Sequence, residues 1–130
     1  MKPIKTLFVD DDINIHDITK ILIDLGKLPF DCRFALSGEE GLKVLRSSTD
    51  NFPEVIFVDI NMPLMDGFGF LNHYENEFLT GFPNTLLFML TSSMRSTDKD
   101  RIKKYTFVKD FLPKPLEPEL WEEIHIKYLY

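Results

Sequence analysis

Two stretches of this chain, residues 55–58 (VIFV) and 86–90 (LLFML), are apolar at every position. A strand with one wet face alternates apolar and polar residues, whereas a strand covered on both faces does not. Both stretches therefore read as central strands of a parallel sheet clothed by helices on each side. Three further runs fit the same sheet. They are residues 4–9, residues 30–36, which alternate imperfectly and hold Cys32, and a short run of Phe111 with Leu112, hemmed by Pro113.

The segments between these runs carry helical spacing. Ile15, Ile18, Leu22 and Leu25 share one face, with Gly26 as a stop signal. Ser37 with Glu40 forms a capping box ahead of Leu42 and Leu45. Asp66 caps a helix bearing Phe68, Leu71 and Phe78, and Thr97 with Asp100 suggests a cap before Ile102 and Tyr105. Pro118 suits a first helical position leading into Leu120, Trp121, Ile124 and Tyr128. Strand and helix thus alternate five times, the pattern of an α/β domain, (βα)5, with a parallel sheet and right-handed crossovers.

A chain of 130 residues supports one compact domain, 1–130, and no internal repeat or linker divides it. The apolar share of 44 % and twelve phenylalanines rule out a disordered tail. No apolar run approaches the length of a membrane span, and the N-terminus has no signal-peptide core. One cysteine excludes an internal disulfide framework, so a cytoplasmic protein is expected. A net charge of −6 argues against direct attraction to nucleic acid or anionic lipid.

Polar residues stand where four of the strands end: Asp10, Asp11 and Asp12, then Asp59, then Thr91, then Lys114. In an open doubly wound sheet, the ligand crevice lies outside the carboxyl ends of the strands. These groups are therefore expected to converge. Unpaired carboxylates facing Asp59 would raise one another's pKa, and a hard divalent cation relieves that repulsion. Oxygen-only ligands in a half-open site favour Mg²⁺. A metal, an ammonium and the Thr91 hydroxyl around one carboxylate suit in-line phosphoryl transfer onto Asp59.

The segments LFVDDD, VDINMPLMDG, MLTSS and FLPKP, in that order, resemble the successive motifs of response-regulator receiver domains of two-component signalling. The resemblance implies the flavodoxin-like receiver fold, a doubly wound parallel sheet of five strands in the order 2-1-3-4-5 with helices on both faces. It implies Asp59 as phosphoacceptor, Asp10 and Asp11 as the acidic pair that holds Mg²⁺, and Asn61 as donor of a backbone carbonyl to the metal. It assigns Thr91 the switch hydroxyl, Lys114 the phosphate-binding ammonium and Phe111 the aromatic switch position, and it makes the Lys114–Pro115 bond cis. The implied partner is a sensor histidine kinase or histidine phosphotransfer protein, followed by an unidentified downstream protein. The implied output face, shared by the fourth helix, fifth strand and fifth helix, is also where receivers pair as homodimers. Two departures stand out: KKYTFVKDF replaces the usual small pair before the fifth strand, and Ser92 follows Thr91 where alanine is common.

The expected role is a phosphorylation-controlled switch and not an enzyme beyond slow self-phosphorylation and self-dephosphorylation. With Met1 read as a natural start, a stand-alone receiver is expected; the alternative is a module of a larger response regulator or hybrid kinase. An aspartate-nucleophile phosphatase would carry a second Asp two residues after the first, where this chain has Asn61. A flavodoxin-like cofactor binder would need a phosphate-cradling loop after the first strand, where three acids stand instead.

Other residues receive ordinary readings. Asp12 is taken as a helix cap and not a ligand. His16, His73 and His125 are taken as surface or half-buried helical residues with no metal or catalytic role. Met62, Met65, Cys32, Trp121 and Tyr128 are taken as packing residues, and Lys103 with Lys104 as a solvated helix end.

Overall fold

The computed structural model describes residues 2–92 and 96–129, Ser96 by its backbone only. Met1 and the 93–95 segment, where MLTSS ends, lie outside the described residues.

The elements follow in strict alternation: β1 (Ile4–Val9), α1 (Ile13–Gly26), β2 (Phe30–Ala35), α2 (Gly38–Arg46), β3 (Val55–Asp59), α3 (Gly67–Glu77), β4 (Leu86–Thr91), α4 (Ser96–Ile102), β5 (Val108–Pro113) and α5 (Pro118–Ile124). A π-helical segment, His125–Leu129, prolongs α5. All strand pairs are parallel and the order is β2-β1-β3-β4-β5, as the resemblance implies.

The two apolar stretches lie in β3 and β4 at the middle of the sheet, and alternate residues feed two separate cores. Ile56, Val58, Leu87 and Met89 pack with Leu42 and Leu45 of α2 and with Phe68, Leu71 and Tyr74 of α3. Val55, Phe57, Phe88 and Leu90 pack on the other face with Ile23 of α1 and with Trp121 and Ile124 of α5. Burial on both faces is what the unbroken apolar pattern requires.

Local signals set most boundaries. The Ser37 hydroxyl accepts from the Glu40 amide, while the Glu40 carboxylate reaches back to the Leu36 amide. The Asp66 carboxylate caps α3 by accepting from the Gly69 amide. Met62 is buried and Met65 is packed against the α2–α3 core. Tyr128 packs edge-on against Phe88.

Three expectations are corrected. First, α1 turns a different face inward. His16, Thr19 and Ile23 are buried, Ile15 and Leu22 are half-buried, and Ile18 and Leu25 are exposed, Leu25 at 78 %. Two polar residues on the inward line masked it in the hydrophobic pattern. The left-handed residue that ends the helix is Lys27 (φ 50°), with Gly26 still helical. Second, Thr97 lies inside α4, which begins at Ser96, so it is not that helix's cap. Third, β5 is longer than Phe111 and Leu112 suggested. It is an edge strand whose exposed residues Lys109 and Asp110 hide it from an apolar pattern, and its register slips by one residue opposite Leu87 and Phe88.

The unusual KKYTFVKDF segment fills the space between α4 and α3 with aromatic rings. Tyr105 lies 6.0 Å from Phe68, and Phe107 lies 5.8 Å from Tyr74. The Tyr105 hydroxyl donates to Asn72 Oδ1 at 2.8 Å, and the Arg101 guanidinium lies 4.0 Å from the Phe68 ring centre.

Candidate functional site

Register brings the strand ends to one edge. Val9 pairs with Val58, Asp59 pairs with Leu90, and Thr91 pairs with Pro113. The last residues of β3 and β4, Asp59 and Thr91, and the first residues beyond β1 and β5, Asp10 and Lys114, therefore stand at one edge. Asp10 (0 % exposed) and Asp59 (2 %) are buried, Asp11 is exposed, and Thr91 is buried.

Lys114 closes the group from the far side. Its Nζ donates to Asp10 Oδ2 at 2.9 Å and to Asp59 Oδ2 at 3.2 Å. Its own amide donates to the Thr91 carbonyl at 2.9 Å, which ties the end of β5 to the end of β4. The Lys114–Pro115 peptide is cis, as the resemblance implies.

Asp10 has every polar group engaged. Its amide donates to the Ala35 carbonyl, and its Oδ1 accepts from the Asp12 amide at 3.0 Å. Oδ2 takes the Lys114 ammonium, and the backbone carbonyl lies 2.6 Å from His16 Nε2. The Asp12 carboxylate accepts from the Asn14 amide at 2.9 Å, so Asp12 is a helix cap. Asn61 is exposed, and its amide donates to Asp59 Oδ1 at 3.3 Å.

The electrostatics follow from this packing. Burial pushes the Asp59 carboxyl up to about 6, and the Asp10 charge adds to it; Lys114 and the Asn61 amide oppose the rise. For Lys114, burial pulls the ammonium down, but the hydrogen bond and charge of Asp10, with Asp59 behind them, outweigh burial and hold it above its ordinary value.

Carboxylate oxygens of Asp10, Asp11 and Asp59 all lie within 4.8 Å of one another. Three carboxylates against one ammonium leave an anionic pocket with oxygen donors only, so the residues fit a hard divalent cation. Phe111 is half-buried at the margin of the α2–α3 core, beside the site on β5.

Gly67 positions the loop that leaves Asp59. Its amide donates to the Ile60 carbonyl at 2.8 Å. A Cβ there would lie 2.7 Å from the Asp59 carbonyl oxygen and 2.8 Å from Ile60 Cα, so only glycine allows α3 to start so close to the strand end.

Comparison with known proteins places the chain in a family. The family model described as "Response regulator receiver domain" matches residues 6–125. The chain belongs to that family. This receiver domain is 32 % identical over 127 residues to hybrid signal transduction histidine kinase L of Dictyostelium discoideum, covering 95 % of this chain and 7 % of that protein. It is also 32 % identical over 120 residues to the transcriptional regulatory protein FlgR of Helicobacter pylori, covering 89 % of this chain and 27 % of that one. The receiver thus spans only a small part of these relatives.

Among solved structures, chemotaxis protein CheY4 of Vibrio cholerae superposes with a TM-score of 0.79 at 27 % identity, covering 98 % of this chain and 99 % of that one. A two-component response regulator from Cytophaga hutchinsonii superposes with a TM-score of 0.89 at 21 % identity, covering 99 % and 98 %. The latter likeness is one of fold. Among the described residues, no helix is long and apolar enough to cross a membrane.

The sequence reading missed His16. It is buried rather than at the surface, because position 16 lies on the inward line with Thr19 and Ile23. Periodicity taken from polar and apolar residues together would have placed it there. Cys32 is half-buried on β2, and burial pushes its thiol up to about 12.

Proposed function

We propose that this receiver accepts a phosphoryl group on Asp59 from a phosphohistidine of a sensor kinase or phosphotransfer protein. The observation that carries the reading is the contact of Lys114 Nζ with Asp59 Oδ2 at 3.2 Å beside the Asp10–Asp11 acidic pair. An Asp59 carboxylate oxygen attacks phosphorus in line. The P–N bond to the donor imidazole breaks, the imidazole nitrogen keeps the electron pair, and an acyl phosphate forms.

Lys114 orients the Asp59 carboxylate and supplies positive charge where the transferred oxygens arrive. Mg²⁺, when bound by Asp11, Asp59, the Asn61 backbone carbonyl and the Asp10 side, would neutralise charge on those oxygens. Asp10, tethered by its own hydrogen bonds, holds Lys114 beside Asp59 and keeps free lone pairs for the cation. Raised toward 6, Asp59 is still mostly ionised near neutral pH and able to attack.

The phosphorylated Asp59 then competes for the Thr91 hydroxyl and for Lys114. Thr91 moving toward the new oxygens opens space for the Phe111 ring, which now sits half-buried. The α4–β5–α5 face changes shape as a two-state element, and a downstream protein or a second copy of the chain reads it. Residues 1–130 act as one receiver unit in this reading, alone or within a larger regulator. The role is that of a phosphoacceptor, with no turnover beyond slow self-dephosphorylation.

The test is to incubate the protein with Mg²⁺ and a small acyl phosphate and to weigh it intact. One phosphoryl group is expected on the wild type and none on Asp59→Asn. A mass increase that survives Asp59→Asn overturns the assignment.

A further inference from the structure

His16 is 3 % exposed, on the second turn of α1, and takes no part in the chemistry just described. Its ring stands edge-on to two phenylalanines, 4.8 Å from Phe34 and 5.9 Å from Phe8. Nε2 lies 2.6 Å from the Asp10 backbone carbonyl, while Nδ1 is buried with no partner among the described residues. A carbonyl oxygen only accepts, so Nε2 carries a proton. A buried imidazole with one nitrogen unpaired is costly, and an apolar residue would pack between Phe8 and Phe34 without that cost. The hydrogen bond to Asp10 is what the imidazole gains in return.

That bond grips a particular peptide. Asp10 donates its amide to Ala35 as the last rung toward β2, and the chain then leaves the sheet. Its carbonyl therefore has no strand partner, and burial without one would cost about 1–3 kcal/mol. The same carbonyl lies in the rigid plane that joins Asp10 to Asp11. Fixing it fixes where the Asp11 Cα stands and narrows the directions in which the Asp11 side chain can leave the backbone. Asp11 is the exposed member of the acidic group, and its carboxylate makes no hydrogen bond among the described residues that would hold it there.

We propose that His16 is a positioning residue for the divalent-cation site: its Nε2–H locks the Asp10–Asp11 peptide so that both carboxylates face Asp59 before the cation arrives. The proposal rests on the phosphoacceptor reading above. Groups that hold metal ligands from behind are worth about 10–100-fold in metal affinity, and His16 acts on two ligands at once through the backbone.

The experiment titrates Mg²⁺ alone into the whole chain by calorimetry, for the wild type, His16→Leu and His16→Gln. Glutamine places an amide donor where Nε2 stood; leucine fills the space without one. His16→Leu is expected to weaken Mg²⁺ about tenfold or more, and His16→Gln to stay within about threefold of wild type. Failure of the wild type to bind Mg²⁺ would overturn the phosphoacceptor reading itself. Wild-type binding with His16→Leu equally tight, or with His16→Gln as weak as His16→Leu, would overturn the role of His16 alone. Should His16→Leu not fold, His16→Gln and imidazole ¹⁵N spectra of the wild type decide. An Nε2–H tautomer coupled to the Asp10 carbonyl carbon supports the proposal, and an Nδ1–H tautomer overturns it.

Discussion

Lys114 Nζ lies 3.2 Å from Asp59 Oδ2, a contact between residues 55 positions apart in sequence. The fold makes this contact by ending β3 and β5 at the same edge of the sheet. The ammonium is the one cation at a site holding three carboxylates, as far as the described residues show. Lys114→Ala should therefore slow incorporation of phosphoryl groups from a small acyl phosphate by about 10²–10³, the usual loss for one preorganised charge donor. It should also tighten Mg²⁺, because the cation then meets an uncompensated acidic cluster. Initial rates by intact mass, with Mg²⁺ titrations alongside, check both. An unchanged rate would remove Lys114 from the mechanism.

The raised pKa of Asp59 predicts how stability depends on pH in chelator. The folded carboxyl titrates at about 6, against 3.8 for an unperturbed group. The native state therefore holds this proton more tightly than the unfolded chain. The contribution of Asp59 favours folding most below pH 3.8 and is lost as pH rises through about 6. Asp59→Asn should accordingly stabilise the metal-free protein near neutral pH by about 1–2 kcal/mol, discounted for residual solvent screening. The gain should vanish toward pH 4, where the native Asp59 is already protonated. Urea midpoints across pH 4–8 measure it, and a gain that instead grows toward acid pH would contradict the assigned environment.

Gly67→Ala should damage both stability and the site. The new Cβ would meet the Asp59 carbonyl oxygen and Ile60 Cα, both backbone atoms that cannot step aside. Overpacking of this kind costs about 1–3 kcal/mol. Because the strained atoms flank the phosphoacceptor, phosphoryl incorporation should fall as well. Thermal unfolding and the acyl phosphate assay together check it.

Asp12→Ala separates a cap from a ligand. The Asp12 carboxylate accepts from the Asn14 amide, and only its backbone amide touches Asp10. Loss of the cap should lower stability by about 1 kcal/mol and leave Mg²⁺ affinity nearly unchanged. A large drop in Mg²⁺ affinity by calorimetry would make Asp12 a ligand.

The sheet was legible because β3 and β4 are buried on both faces and so carry an unbroken apolar signal. The convergence of Asp10, Asp11, Asp59, Thr91 and Lys114 followed from parallel strands ending on one edge. The face of α1 was not legible, because its inward line begins with His16 and Thr19, whose polarity mimics an exposed surface. What holds His16 inside is tertiary: the Asp10 carbonyl just past β1, and the rings of Phe8 on β1 and Phe34 on β2. The start of β5 was hidden for the opposite reason. Edge residues such as Lys109 keep their side chains in water, and only the ladder to β4 identifies them as strand.

The central claim is that Asp59, and no neighbouring acid, takes the phosphoryl group. Reductive trapping of the acyl phosphate with borohydride, followed by peptide mapping, tests it most directly. The reading predicts that label falls on Asp59 and that its yield depends on Mg²⁺. Label on Asp10, Asp11 or Asp12, or equal labelling in chelator and in Mg²⁺, would contradict it.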